Sequence, residues 1–197
     1  MTVENTKAYI YAQRVISGEI LAGKFIIKAC ERFLNDLQRD DLIFDLEEVE
    51  RITYFFEKIL YVPELRAPVE LPLPHAFWLQ QLYGMKMKAT GNRKYVSVYM
   101  QVARKNFKTF YAAGITNFEA VCGSDPNAEI MHGANSRDQA LICTGMTGKL
   151  IKASFSKKSI KDLNALLSYE DRRVRQKAQF ELVRRKGKAW DALKETA

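Results

Sequence analysis

No apolar run in this 197-residue chain approaches the roughly 20 residues that span a bilayer, so no membrane-crossing helix is expected. The N-terminal stretch MTVENTKAYIY is polar and has no signal-peptide core. Cysteine is sparse. Cys30, Cys122 and Cys143 are scattered and form no CxxC pair, which fits reduced core thiols in a cytoplasmic protein. The two histidines, His75 and His132, do not sit at ligand spacing from a cysteine, so a zinc site is not expected. There is no Asp-Glu dipeptide, no internal repeat and no low-complexity tract. Glycine is missing from the basic stretch VARKNFKT at 102–109, where the surrounding pattern calls for it.

What is present suits a globular protein of one domain, or a domain with an appendage: 47% hydrophobic and 27% charged residues, enough to bury a core. The net charge of +8 is unevenly placed. Residues 1–144 hold 17 Lys/Arg and 17 Asp/Glu, whereas residues 145–197 hold 14 against 6. A basic C-terminal quarter favours polyanions such as nucleic acid, or is simply a solvated helix surface.

Apolar residues recur at helical spacing over 6–38 (Phe25, Ile26, Ala29, Cys30, Phe33, Leu34, Leu37), with Gly18 and Gly23 dividing two helices. Asp45 reads as the N-cap of a helix carrying Val49, Ile52, Phe56 and Ile59, which Pro63 stops. Four prolines at 63–74 mark an extended connector, and 76–84 is a short apolar helix. Residues 95–102 alternate strictly, with Val96, Val98, Met100 and Val102 on one face, which predicts a strand. Residues 108–121 predict a helix closing at Gly123, SDPNA a turn, and 128–134 a second strand. Ser136 and Gln139 form a capping box for the next helix. Strand–helix–strand–helix over 95–150 is the order of a parallel α/β sheet. The tail predicts a helix at 159–168, a second one capped by Ser168 and Asp171 with Val174, Ala178 and Leu182 on one face, a stop at Gly187, and a last helix anchored by Trp190 and Leu193.

The stretch 98–114 has the layout of a phosphate loop: strand, basic turn, Lys-Thr, helix. Such a loop needs converging backbone N–H groups, a lysine for the terminal phosphates, and a hydroxyl for magnesium. Lys108 and Thr109 supply the last two, at a helix N-terminus that favours anions. In the pattern G-x-x-x-x-G-K-[ST], Val102 and Phe107 stand where the glycines would. A bulky residue at the second position costs about 1–3 kcal/mol of backbone strain. A basic surface turn is the alternative reading.

YAQRVISGEILAGKFIIKACERFLNDL (11–37), the capped helix at 45–60, LPLPHAFWLQQLYG (71–84), YVSVYMQVARKNFKTFYAAG (95–114) and AEIMHGANSRDQALI (128–142) follow one another in an order that resembles the N-terminal part of the ATPase domain of a tailed-phage terminase large subunit, over roughly residues 8–155. The phosphate loop of that family resembles ARKNGKS/T, with an arginine inside and no first glycine, so only Phe107 departs from it. The resemblance implies that Lys108 and Asn106 bind nucleotide phosphates, that Thr109 holds Mg2+, and that Arg104 or Lys105 stabilises charge on the transferring phosphate. An adenine-contacting glutamine is expected just ahead of the short apolar helix. His75 occupies that place, with Gln80 and Gln81 further on; a plain loop histidine is the other reading, as core packing is for Phe77, Trp78 and Tyr83. Arg137 and Gln139 in ANSRDQA would face nucleotide or DNA, although capping alone accounts for Gln139.

By the same resemblance the cofactors are ATP and Mg2+. The partners are double-stranded DNA, the small terminase subunit and the portal, with a homo-oligomer or split-motor partner, in the host cytoplasm. The expected fold is α/β: an N-terminal helical subdomain (1–65), a partial P-loop (ASCE-type) parallel-sheet core (66–155) and a basic helical tail (156–197). The tail loosely resembles one HEAT-like repeat and would present Arg172, Arg173, Arg175, Arg184 and Arg185 to DNA. Hydrolysis also needs an acidic strand end. LIFDLEE (42–48) imitates one, but it precedes the loop. In the family the acidic motif comes well after ANSRDQA, and the resemblance is expected to stop near 155, so a chain truncated before the acidic motif and the nuclease domain is expected. Two functions stay open: the ATP-binding part of a DNA-packaging motor, or a non-catalytic DNA- or partner-binding module that keeps a degenerate phosphate loop.

Overall fold

A computed structural model describes residues 1–62, 67–123, 129–156, 158–169 and 172–185. The SDPNA turn, Asp171, Gly187, Trp190, Leu193 and the Arg173 side chain lie outside the described residues. The chain divides into two compact units, 1–57 with 70–100, and 58–69 with 101–197.

The first unit holds α1 (Lys7–Ile16), α2 (Lys24–Asp36), β1 (Leu42–Phe44), α3 (Leu46–Tyr54), α4 (Leu73–Gly84) and β4 (Met85–Met87). Gly18 turns the chain out of α1 at a φ of 80°, and Gly23 caps α2. The apolar pattern of α2 is only partly buried: Cys30 and Phe33 are enclosed, but Phe25 is 75% exposed. Asp45 Oδ1 accepts the N–H groups of Glu47 and Glu48, and Lys86 Nζ donates to Asp45 Oδ2 at 2.7 Å. The cap is therefore tied to β4, and its carboxyl lies below the usual range: burial works against this, and the Lys86 bond and the two amides outweigh it.

Tyr11, Phe33, Phe44 and Phe77 pack ring on ring at 5.1–5.7 Å in the core of this unit. Gln80 joins three helices through one buried amide. Its Oε1 accepts from Ala8 N–H at 2.8 Å and its Nε2 donates to Thr53 Oγ1 at 2.9 Å. This is a structural role, and it removes Gln80 from the residues available to an adenine. Gly84 is packed too tightly for a side chain: a Cβ there would lie 2.4 Å from Val49 Cγ2 and 2.8 Å from Phe44 Cε2. Gly84→Ala is expected to destabilise the protein by about 1–3 kcal/mol through overpacking, read as a lowered urea midpoint.

The described residues form a mixed, mainly helical fold with short strands, and they do not show the expected parallel sheet. Their sheets are two short antiparallel pairs, β1 with β4 (Leu42 opposite Met87) and β2 (Tyr61–Val62) with β3 (Ala67–Pro68). Residues 95–102 are not a strand; the chain runs without a ladder partner among the described residues, and Val96 and Tyr99 are 93% and 87% exposed. Alternation creates an apolar face, but a strand also needs a neighbouring backbone. The described part of the second expected strand, 129–134, likewise has no partner.

The second unit is chiefly helical: β2, β3, α5 (Lys108–Cys122), α6 (Arg137–Ser156), α7 (Ile160–Leu166) and α8 (Arg172–Arg185). Phe118, Leu150, Leu163, Val174, Ala178 and Leu182 form its interior. Ser159 and Asp162 make a full capping box on α7. Ser154 Oγ donates to Leu150 O and accepts from Tyr61 N–H at 2.9 Å, fixing β2 to α6. No helix among the described residues is long and apolar enough to cross a membrane.

Candidate nucleotide site

The loop at 103–107 adopts the backbone shape that its sequence argues against. Lys105 and Phe107, two residues apart, have φ of 67° and 53°, and they are the only non-glycine residues at positive φ among those described. A left-handed residue with a Cβ costs about 1–2 kcal/mol. Phe107 does not offset this by packing, since it is 61% exposed. Left-handed residues in a tight turn aim backbone N–H groups into a concavity that accepts anions.

Phe107 is also the N-cap residue of α5, and no side chain caps that helix. A phenyl ring has no acceptor to offer the first-turn amides, so the positive end of the helix is open to an anion. Asn106 Nδ2 donates to Ala103 O at 3.3 Å and holds the turn closed. Lys108 Nζ reaches back to Val102 O at 3.4 Å, a long bond that a phosphate oxygen outcompetes. Arg104, Lys105 and Lys108 are exposed and form no ion pair among the described residues. The Thr109 hydroxyl, half-buried in the first turn of α5, makes no hydrogen bond there either. These groups suit a phosphate bound with a divalent cation: an uncapped helix end behind a left-handed turn, one exposed ammonium, and one hydroxyl without a hydrogen bond among the described residues.

The other expected site residues are spread more widely. His75 stands in the first turn of α4, in the first unit, and burial pushes its imidazole below the ordinary range. Arg137 and Gln139 are exposed at the start of α6, where Ser136 Oγ accepts the Gln139 N–H at 3.3 Å. In the tail, Arg172 and Arg184 face solvent, the latter paired to Glu181. Arg175 donates to Tyr169 O at 2.7 Å.

Arg185, expected among the DNA-facing residues, is engaged inside the fold. Its guanidinium donates to Phe155 O, Ser156 O and Lys158 O at 3.0, 2.7 and 2.6 Å, and to Glu181 Oε1 at 2.8 Å. A helix ends with carbonyls that lack intrahelical partners, and Arg185 fills that role for α6.

His132 carries a role its sequence context did not suggest. Its Nε2 lies 3.0 Å from Thr116 Oγ1 on α5 and its Nδ1 2.8 Å from Thr144 Oγ1 on α6. Each hydroxyl also lies within donating distance of a helix carbonyl, Thr116 of Ala112 O and Thr144 of Ala140 O, so the ring bridges two hydroxyls that are themselves tied to their helices. The only sequence signal was a polar ring in an apolar run. Cys143 Sγ is 3.7 Å from the same ring, and burial raises its thiol pKa. Among the described residues no three His, Cys, Asp or Glu side chains gather as a metal site.

Comparison with known proteins places this geometry in a context. The family model described as terminase large subunit, ATPase domain, matches residues 74–196. The match begins at the start of α4 and continues through the basic tail, beyond the point near 155 where the resemblance was expected to end. No curated protein and no solved structure matches the chain.

Proposed function

The chain belongs to the terminase large subunit ATPase-domain family, and on that premise we propose that the 102–109 loop is its nucleotide phosphate site, serving a viral DNA-packaging motor. The observation that carries the reading is the left-handed pair Lys105 and Phe107 immediately ahead of Lys108. A conformation this unfavourable for phenylalanine persists where the shape itself is used.

In this reading Lys108 binds the β/γ-phosphates, and Asn106 holds the loop whose amides receive them. Thr109 gives its hydroxyl to Mg2+, which when bound neutralises phosphate charge. Arg104 and Lys105 place positive charge beside the transferring phosphate. Arg137, Gln139, Arg172 and Arg184 face DNA phosphates. The partners are double-stranded DNA, the small terminase subunit and the portal, in the host cytoplasm.

The sequence contains no Asp-Glu pair, so hydrolysis by these 197 residues alone is not part of the proposal. That absence favours a second reading, a module that binds nucleotide or DNA without turnover. Binding of ATP with Mg2+, followed by phosphate release, separates the two.

Phe107→Gly is a sharper probe. Relief of about 1–2 kcal/mol of left-handed strain exceeds the roughly 0.5–1 kcal/mol that glycine loses in chain entropy. The variant is expected to melt about 1–4 °C higher and to bind ATP at least as tightly as the native chain. A lowered melting temperature together with lost ATP binding counts against the loop assignment.

A further inference from the structure

Helices α6 and α8 enclose a groove of about 470 Å³, lined by Ile151, Lys152, Phe155 and Ser156 from α6 and by Lys177, Phe180, Glu181 and Arg184 from α8. The spacing is helical on both sides, so each helix presents one stripe to the same space. The volume is that of a ligand site.

Three features of this groove point the same way. Lys152 and Lys177 are exposed and have no ion pair among the described residues. The one carboxylate, Glu181, is neutralised twice: Arg184 binds both its oxygens at 2.7 and 2.9 Å, and Arg185 binds one at 2.8 Å. The Arg184 bonds, opposed by burial and aided by Arg185, hold the Glu181 carboxyl below its usual range. Phe180 stands 66% exposed between these cations, although the buried face of α8 is formed by Val174, Ala178 and Leu182. It is therefore not held by the core.

We infer that this groove binds a single-stranded segment of nucleic acid, with Lys152, Lys177 and Arg184 on its phosphates and Phe180 under an unpaired base. An aromatic face amid cations is how proteins hold single strands without reading sequence. In a duplex the bases are stacked on one another, and their faces are closed to a phenyl ring. The inference goes beyond the duplex-DNA reading above: it adds a site for an unpaired strand and stands or falls separately from it.

The test uses the full 197-residue chain and fluorescence anisotropy with labelled oligo-dT, a duplex of equal length, and a poly-glutamate peptide. Oligo-dT is expected to bind more tightly than the duplex and the peptide. About three phosphate contacts give a slope near −2 in log affinity against log salt. Phe180→Ala is expected to weaken oligo-dT binding about 5- to 100-fold, with duplex and ATP binding unchanged. The double variant Lys152→Gln/Lys177→Gln is expected to flatten the salt slope. Circular dichroism confirms folding, which a solvent-facing phenyl and two surface lysines do not control.

Equal loss of duplex and oligo-dT binding in Phe180→Ala, or no loss in either, overturns the proposal and leaves the duplex-DNA reading standing. Preference for poly-glutamate overturns it in favour of a protein partner. Failure of every DNA ligand overturns both, and ATP binding on the same samples reports on the loop independently.

Discussion

Lys108→Ala is expected to weaken ATP binding roughly 10- to 150-fold, the equivalent of the 1.5–3 kcal/mol assigned to a hydrogen bond with a charged group. The physical basis is the state of the ammonium group. It is exposed, has no carboxylate partner among the described residues, and donates to Val102 O at a long 3.4 Å. Little holds it back from a phosphate, and its removal breaks no core contact. Thermal stability is therefore expected to stay within about 0.5 kcal/mol of the native chain, as for an ordinary surface substitution. The pairing of a large affinity loss with unchanged stability is what distinguishes a ligand-binding lysine from a structural one. Fluorescent ATP-analogue titration and a melting curve on the same preparation measure both.

Arg185→Ala is expected to act in the opposite sense, destabilising the protein by about 2–4 kcal/mol through loss of charged hydrogen bonds at a partly buried site. The side chain spans two carbonyls at the end of α6, the Lys158 carbonyl just beyond it, and the Glu181 carboxylate. Truncation leaves those carbonyls to water and Glu181 with Arg184 alone. Arg185→Lys is expected to recover only part of the loss, because one ammonium cannot reproduce the planar guanidinium fork. A single unfolding transition at markedly lower urea, with ATP binding retained below it, is the expected pattern. If Arg185→Ala instead leaves stability unchanged and weakens DNA binding, the arginine belongs with the DNA-facing set after all.

The contrast between Lys108 and Arg185 indicates what a sequence of this kind discloses. Both are basic residues in basic runs, but a loop pattern points Lys108 to a phosphate, whereas only the charge of the tail points Arg185 to DNA. The spacing around Lys108 is local, with loop, lysine and hydroxyl contiguous, so it is legible one residue at a time. Apart from Glu181 one turn back on the same helix, the partners of Arg185 are carbonyls 27 to 30 residues away, and no local pattern announces those. The caps follow the same rule. Asp45 and Ser136 act within three residues of themselves and were legible as helix starts.

The strands behave differently. β1 and β4 are three residues each and pair across some 40 residues, so their own periodicity is too short to reveal them. Residues 95–102 have clear periodicity, but the described chain offers no backbone beside them. At Phe107 the sequence disclosed the anomaly, a large residue at a glycine position. It could not disclose the resolution, which is that the phenylalanine takes the left-handed shape and stays in solvent.

The central claim is that this strained loop binds nucleotide phosphate. Isothermal titration of ATP into the 197-residue chain, with and without Mg2+, tests it most directly, with Phe107→Gly titrated alongside. Saturable, magnesium-enhanced binding at one site per chain, no weaker in Phe107→Gly, is the expected result. Absence of binding in both chains, with both folded, contradicts the claim.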